Sequence, residues 1–159
     1  MKEQFASAFA IGLVAVAVAV GAILYMQRGA QMGLTGPMSV RTIPTDPNTA
    51  LAVIDLHITN AADYDFEVNN VTVTLETKDG EFPTGIVSRV DAQRMFDAMP
   101  DAGPFHPTLY TKAIVKAHST GDYTLLAQYS APERILQDRK QFVVRIEEIN
   151  GKVAQFSEK

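Results

Sequence analysis

An uncharged apolar stretch near the amino terminus places the strongest constraint on this chain. Residues 5–26 (FASAFAIGLVAVAVAVGAILYM) contain no acidic or basic side chain. As a helix rising about 1.5 Å per residue, this stretch would be about 33 Å long, enough to cross a hydrocarbon core of about 30 Å. We therefore predict a transmembrane helix at residues 5–26. A short tail at residues 1–4 precedes it, and a linker rich in glycine at residues 27–37 follows it.

A cleavable secretory signal is the alternative interpretation of this stretch. Such a signal has a basic start, an apolar core of about 7 to 15 residues and a small-residue cleavage site. Lys2 supplies a basic start and Ala15, Ala17 and Ala19 supply small residues, but the apolar run continues to Met26. The length of the run favours a retained anchor.

The orientation of the predicted span rests on weaker signals. Basic residues close to a span favour the cytoplasmic side. Lys2 lies on one side, and Arg28 and Arg41 lie on the other, so the two counts nearly cancel. A short tail before a long anchor favours a cytoplasmic amino terminus and an exported domain. We predict a single-pass protein of the inner (cytoplasmic) membrane with a periplasmic C-terminal domain.

Small side chains form a stripe along the predicted span. At about 100° per residue, Ala8, Gly12, Ala15, Ala19 and Ala22 fall on one side of the helix. Small residues in such a row let two helix backbones approach closely in lipid, where packing drives association. Besides the lipid bilayer, the predicted partners are therefore a membrane protein or a second copy of this chain.

The remaining residues, 38–159, are enough for one domain with a single hydrophobic core. The net charge of the whole chain is -4, and the basic residues are scattered among acidic ones. Binding to nucleic acid requires clustered Lys and Arg, so we predict no nucleic-acid partner. The chain has no cysteine, which excludes neither compartment.

Alternation of apolar and polar residues with a period of two predicts strands through most of this domain. In residues 51–60, for example, Ala52, Ile54 and Leu56 share one face, while Asp55 and His57 share the other. The predicted strands are 38–43, 51–60, 66–77, 82–87, 109–117, 123–130, 141–149 and 152–156. Asp79-Gly80 and Asn150-Gly151 predict tight hairpin turns, and Asn69-Asn70 breaks the alternation and predicts a bulge.

Two insertions interrupt the strands. Residues 88–99 predict a helix, with Ser88 as a cap and with Val90, Met95, Phe96 and Met99 on one apolar side. Residues 133–138 predict a second, shorter helical turn after Pro132. Connections too short for helical crossovers favour antiparallel pairing. The predicted fold is mainly β: an N-terminal transmembrane helix followed by an antiparallel fibronectin- or immunoglobulin-like β-sandwich with one short inserted helix.

The segment LAVIDLHITNAADYDFEVNNVTVTLETKDGEFPTG resembles the first hairpins of the late-embryogenesis-abundant group-two domain, also called the water-stress and hypersensitive-response domain. Asn60 and Tyr64 match its turn, while Ala61 replaces the proline. The longer pattern, including SRVDAQRMF and RIEEINGKV, is similar to uncharacterised bacterial single-span membrane proteins. The resemblance implies a fibronectin-like sandwich behind an anchor and brings no catalytic motif.

The sequence offers little chemistry for a reaction. His57, His106 and His118 lack the close spacing of a helical metal motif, and no serine lies in a nucleophile elbow. Asp55 and His57 point the same way from one strand, which permits shared ligation, although a solvated surface pair is the favoured interpretation. We predict no catalytic residue, no metal and no cofactor, and we treat a hydrolase as the least favoured class.

Binding surfaces are better supported than reactive sites. Residues 100–107 (PDAGPFHP) form a proline-rich loop that presents Phe105 beside His106, and a stiff aromatic loop suits a protein partner. The favoured interpretation of Phe105 is instead that it covers the end of the sandwich. Arg89 and Arg94 of the predicted helix are further candidate partner contacts, although facing water is their default interpretation. We predict a membrane-anchored, non-catalytic interaction or accessory module, with a stress-protective or small-ligand-binding domain as the alternative.

Overall fold

Antiparallel strands make up most of the chain that the structure describes. The structure is a computed structural model and describes residues 33–99 and 102–158. In chain order its elements are β1 (Leu34–Thr35), β2 (Met38–Asp46), β3 (Thr49–Asn60), β4 (Phe66–Glu76), β5 (Glu81–Gly85), α1 (Arg89–Ala98), β6 (Ile114–Val115), β7 (Ser119–Tyr129), α2 (Glu133–Gln137), β8 (Gln141–Glu148) and β9 (Val153–Ser157). The predictions of a mainly β fold and of helices near 88–99 and 133–138 are confirmed.

The strands form two sheets. In the first, β3 lies in the centre, with β7 along one edge and with β1 and β2 along the other. The second has the order β5-β4-β8-β9, and β6 also pairs with β4. A shift of register between Val68 and Asn70 confirms the predicted bulge. The two predicted hairpin turns are also present, since Glu76 pairs with Glu81 and Glu147 with Val153.

The main core lies between the two sheets. Alternate residues of β3, including Ala52, Ile54 and Leu56, pack in one cluster with residues of β4 and β8. Tyr129 of β7 extends into this core, where its ring lies 5.9 Å from that of Phe142 and its hydroxyl donates to the Val73 carbonyl. Burial raises the pKa of Tyr129. The packing of inner faces from both sheets is that of a two-layer β arrangement.

A second, smaller cluster covers the outer face of the first sheet. Leu51, Val53 and Leu126 of the sheet pack there against Ala92 and Phe96 of α1. Ser88 caps the helix as predicted, because its hydroxyl accepts a hydrogen bond from the Asp91 N–H at 3.2 Å. The central strand β3 is therefore buried on both faces through its first half.

Three local predictions differ from the structure. Val90 is exposed, and Ala92 takes its place on the buried side of α1 beside Phe96. The strand predicted at 109–117 shortens to β6, because the chain turns at Tyr110, where the carbonyl accepts from Ala113 N–H and Lys112 has a φ of 72°. Strand β1 falls within residues 27–37, which we predicted as linker.

The predicted transmembrane helix lies outside the described residues. So does its stripe of small residues, Ala8, Gly12, Ala15, Ala19 and Ala22, and both stay predictions. Among residues 33–99 and 102–158, the two helices are too short to cross a membrane.

A partly buried ion pair fastens the carboxyl end of the domain. Arg139 donates from Nε and Nη2 to the two carboxylate oxygens of Glu158, at 2.8 and 2.5 Å, and the Phe142 N–H donates to the same carboxylate at 3.0 Å. Burial alone would raise the pKa of Glu158. The hydrogen bonds from Arg139 and Phe142 outweigh it and hold that pKa below its ordinary value.

We expect Glu158→Gln to destabilise the domain by about 1.5–3 kcal/mol near pH 7, the range for a hydrogen bond to a charged group. Because the pKa of Glu158 is lower in the folded than in the unfolded chain, this contribution is complete above about pH 4.3 and is lost as pH falls through the folded-state pKa. Urea unfolding across that pH range measures it. The exposed Glu81→Gln variant is the control, and equal pH dependence in the two variants would contradict the assignment.

Candidate functional site

The outer face of the first sheet changes from apolar to polar along its strands. Leu51 and Val53 of β3 lie under α1, and the next residues on the same face, Asp55 and His57, lie beyond it. The antiparallel strand β7 shows the same change in the reverse chain direction. Beyond Leu126 on this face lie Thr124 and Asp122, which pair with Asp55 and His57. This polar half, bordered by the loop after α1, is the candidate site.

Arg41 of β2 joins the sheet to the loop. Its guanidinium donates to the Asp55 carboxylate, with Nη2 at 2.8 Å and Nε at 3.2 Å. It also donates to the Ala102 carbonyl, and at 3.2 Å to the Pro104 carbonyl. Gly103 has a φ of 90°, and a Cβ at that position would collide with the guanidinium. A charge-assisted network therefore fixes the path of the loop.

Thr124 continues this network to His106. The Thr124 hydroxyl donates to the second oxygen of Asp55 at 2.9 Å and accepts from the His106 N–H at 3.1 Å. The Thr124 backbone is bound as well, because its carbonyl accepts from the Thr108 hydroxyl at 2.9 Å. Thr124 is fully buried, so its hydrogen bonds replace those it would make to water.

His57 and Asp122 form a pair at the solvent-facing end of the site. His57 Nδ1 lies 2.6 Å from the Asp122 carboxylate, and both side chains are about half exposed. The hydrogen bond from His57 holds the pKa of Asp122 below its ordinary value. Asp55, His57, His106 and Asp122 line a shallow pocket of about 180 Å³.

Most polar groups of the pocket already bind one another. Asp55 accepts from Arg41 and Thr124, and Asp122 accepts from His57. Within residues 33–99 and 102–158, no group of three His, Asp or Glu side chains is placed to hold a metal ion. Chemically, the arrangement positions a loop and leaves one imidazole-carboxylate pair facing solvent.

The four predicted partner contacts have different surroundings. Phe105 is half-buried and stacks on Phe96, with the ring centroids 4.4 Å apart, so it packs on the outer face of the first sheet and not at the end of the sandwich. His106 lines the pocket. Arg94 is exposed and lies 3.7 Å from Asp91. The guanidinium of Arg89 lies 5.0 Å from the centre of the Tyr110 ring.

Sequence reasoning missed Arg41, Tyr110 and Thr124. Arg41 occupies an outward position of a strand, where an arginine is ordinary, and its partners lie 61 and 63 residues away. Tyr110 fell within a predicted strand, so its placement against Arg89 was not foreseen. Thr124 alternates outward opposite Asp55, and aligning β3 with β7 in register would have found that pair.

Comparison with known proteins identifies no family. No family model matches the chain, and no curated protein matches it. The resemblance to the late-embryogenesis-abundant group-two domain stays a prediction. Among solved structures, the structural genomics target SoR45 is 9% identical, covering 80% of this chain and 83% of that chain, with a TM-score of 0.40. A Bordetella pertussis protein described as ApaA is 14% identical, covering 79% and 88%, with a TM-score of 0.38.

Proposed function

We propose that the protein is a membrane-tethered, non-catalytic interaction module that binds a membrane protein partner through α1 and the loop after it. The proposed arrangement is a single span in the inner membrane, an exported domain of fibronectin- or immunoglobulin-like type, and no cofactor. The tether rests on the apolar residues 5–26.

One observation carries the binding surface. Val90 and Tyr110 are large apolar residues with 55% and 45% of their surface exposed. Arg89 precedes Val90 in the sequence, and its guanidinium lies over the ring of Tyr110. Tyrosine and arginine are enriched among residues that dominate binding energy at protein interfaces. We name Arg89, Val90 and Tyr110 the helix patch.

The helix that carries Arg89 and Val90 of the helix patch is anchored to the first sheet. Phe96 and Phe105 stack beneath α1, and Arg41 holds the loop at Ala102 and Pro104. A surface that is already ordered loses little conformational entropy on binding. The pocket lined by His57 and Asp122, about 180 Å³ in volume, is smaller than the roughly 300–1,000 Å³ of most ligand sites.

Crosslinking from a single cysteine tests this proposal, because the chain contains no native cysteine. We expect the full-length Val90→Cys variant, in native membranes, to form one discrete adduct of higher mass with a cysteine-directed photocrosslinker. The matched control is Arg145→Cys, at an exposed position of β8 on the other sheet.

The adduct must depend on the helix patch. Adding Tyr110→Ala and Arg89→Ala to the Val90→Cys variant should reduce its yield several-fold while thermal unfolding of the domain stays cooperative. Equal adducts from Val90→Cys and Arg145→Cys, or a lone small particle on native sizing after gentle detergent extraction, would refute the proposal.

A further inference from the structure

Three exposed aliphatic side chains lie at one end of the second sheet. Ile114, Ile149 and Val153 have 51%, 56% and 41% of their surface exposed. Ile114 pairs with Glu67, and the Ile149 N–H donates to the Glu67 carbonyl at 3.1 Å, so the two isoleucines flank one residue of β4. Val153 pairs with Glu147, two residues before Ile149. We name Ile114, Ile149 and Val153 the end patch.

A tyrosine and a lysine accompany the end patch. Lys152, next to Val153 in the β8-β9 hairpin, donates from Nζ to the Tyr64 hydroxyl at 2.9 Å, and its nitrogen lies 4.4 Å from the ring centre. Tyrosine and lysine both present an apolar body and a polar tip, and both are common where protein meets the interface of a bilayer.

Charge does not single out this end of the domain. Lys116 donates to Asp65 at 2.8 Å, His118 Nε2 lies 2.9 Å from Asp63, and Glu67 and Glu147 are half-buried. With acidic and basic groups interspersed, attraction to anionic lipid is not the basis of binding. A bilayer would be bound through apolar burial, at about 25 cal/mol per Å² of apolar surface removed from water.

The chain enters the described domain at this same end. Leu34 of β1 pairs with Asn60, and the Asn60 amide donates to the carbonyls of Val115 and Tyr64, each at 3.0 Å. Seven residues, 27–33, separate the predicted span from Leu34, and fully extended they reach at most about 25 Å. A domain tied to a bilayer would thus be tied by the end that carries the end patch.

From these observations we infer that the end patch docks on the surface of the lipid bilayer and orients the domain. This inference rests on the proposed membrane tether. It adds a second contact with lipid, made by the folded domain itself.

Fluorescence quenching in vesicles tests the docking. The full-length Asn150→Cys variant, labelled with an environment-sensitive dye at the tip of the β8-β9 hairpin, is reconstituted in phosphatidylcholine vesicles that carry a headgroup-attached quencher. Gln155→Cys, at an exposed position of β9, is the matched control. We expect at least several-fold stronger quenching at position 150, and a loss of that excess when Ile114→Ser and Val153→Ser are added.

Varying the salt concentration and the protein-to-lipid ratio distinguishes apolar docking on lipid from electrostatic attraction and from contact with a second copy of the chain. Quenching should be unchanged as salt rises from about 0.1 M to 1 M, although the Debye length falls from about 10 Å to 3 Å. Equal quenching at both positions in vesicles that float with bound protein would overturn the docking alone. Shielding of the dye at position 150 from water that grows with the protein-to-lipid ratio would assign the end patch to a second copy of the chain. That result would also overturn the docking on lipid. A chain that does not float with the vesicles would overturn the tether and the docking together.

Discussion

Gly36→Ala is expected to destabilise the domain by about 4 kcal/mol or more, or to prevent folding, which places it among the largest effects of single substitutions. Gly36 has a φ of 146°, where a residue with a side chain is strained. A Cβ added there would also fall far inside van der Waals distance of the His57 carbonyl oxygen. His57 cannot yield easily, because it lies in the central strand and its N–H donates to the Pro37 carbonyl at 3.1 Å.

Two other glycines separate the cost of backbone strain from the cost of the steric clash. Gly80 has a similar φ of 143° but lies in open space, so Gly80→Ala should cost about 1–3 kcal/mol, the usual cost of strained backbone. Gly85 has neither a positive φ nor a neighbour in reach, so Gly85→Ala should change stability by about 1 kcal/mol or less. Urea unfolding of the three variants provides the comparison.

The ranking is the informative result. If Gly36→Ala and Gly80→Ala cost the same, backbone conformation alone would explain both, and the close approach of β1 and β2 to His57 would be wrong. If Gly36→Ala fails to fold, the soluble yield of the Gly80→Ala variant in the same preparation shows whether the failure is specific to position 36.

Local sequence signals predict the hairpin turns, most of the strands and the start of α1. Gly80 and Gly151 both have positive φ in the hairpins where Asp-Gly and Asn-Gly predicted them. The alternation in β3 identified its core face because one face of that strand packs between the sheets. Ser88 marked the start of α1, because capping depends on residues three positions apart.

Long-range packing was not predictable in the same way. Both faces of β3 are buried in its first half, because α1 returns to cover Leu51 and Val53 from outside. The choice of Ala92 over Val90 for the buried side follows from this close approach, since a small side chain allows the helix backbone near the sheet. A pattern of apolar residues ranks Val90 above Ala92 because valine is the more apolar residue. The pattern carries no information on how closely the helix approaches the sheet.

The candidate site shows the same limit. Asp55 and His57 were identified on one face of one strand, but Arg41 and Thr124 come from neighbouring strands on either side. Their meeting depends on the register of β2 and β7 against β3, and a shift of one residue would turn each side chain to the other face. The sequence alone does not specify that register, because it does not show which residues of β2 and β7 pair with those of β3.

Phe96→Ala is expected to cost about 3–5 kcal/mol, the range for removing a buried phenylalanine side chain. Phe96 connects α1 to the sheet through Leu51, Val53 and Leu126, and it also stacks on Phe105. Truncation would leave a cavity beneath the helix and remove the support of the loop. The matched control is Phe82→Ala at the exposed edge strand β5, where the same substitution should cost about 1 kcal/mol or less.

The loss should be local before it is global, because Phe96 belongs to the outer cluster and not to the main core. Hydrogen exchange measures this directly: in the Phe96→Ala variant, the opening that exposes the amides of α1 should be at least tenfold more frequent than the opening that exposes those of β4 and β8. Equal opening frequencies for α1, β4 and β8 would contradict a separate outer cluster. If the domain binds its partner through the helix patch, the same variant should also lose the Val90→Cys adduct while the sandwich stays folded, because the patch depends on Phe96 for its position.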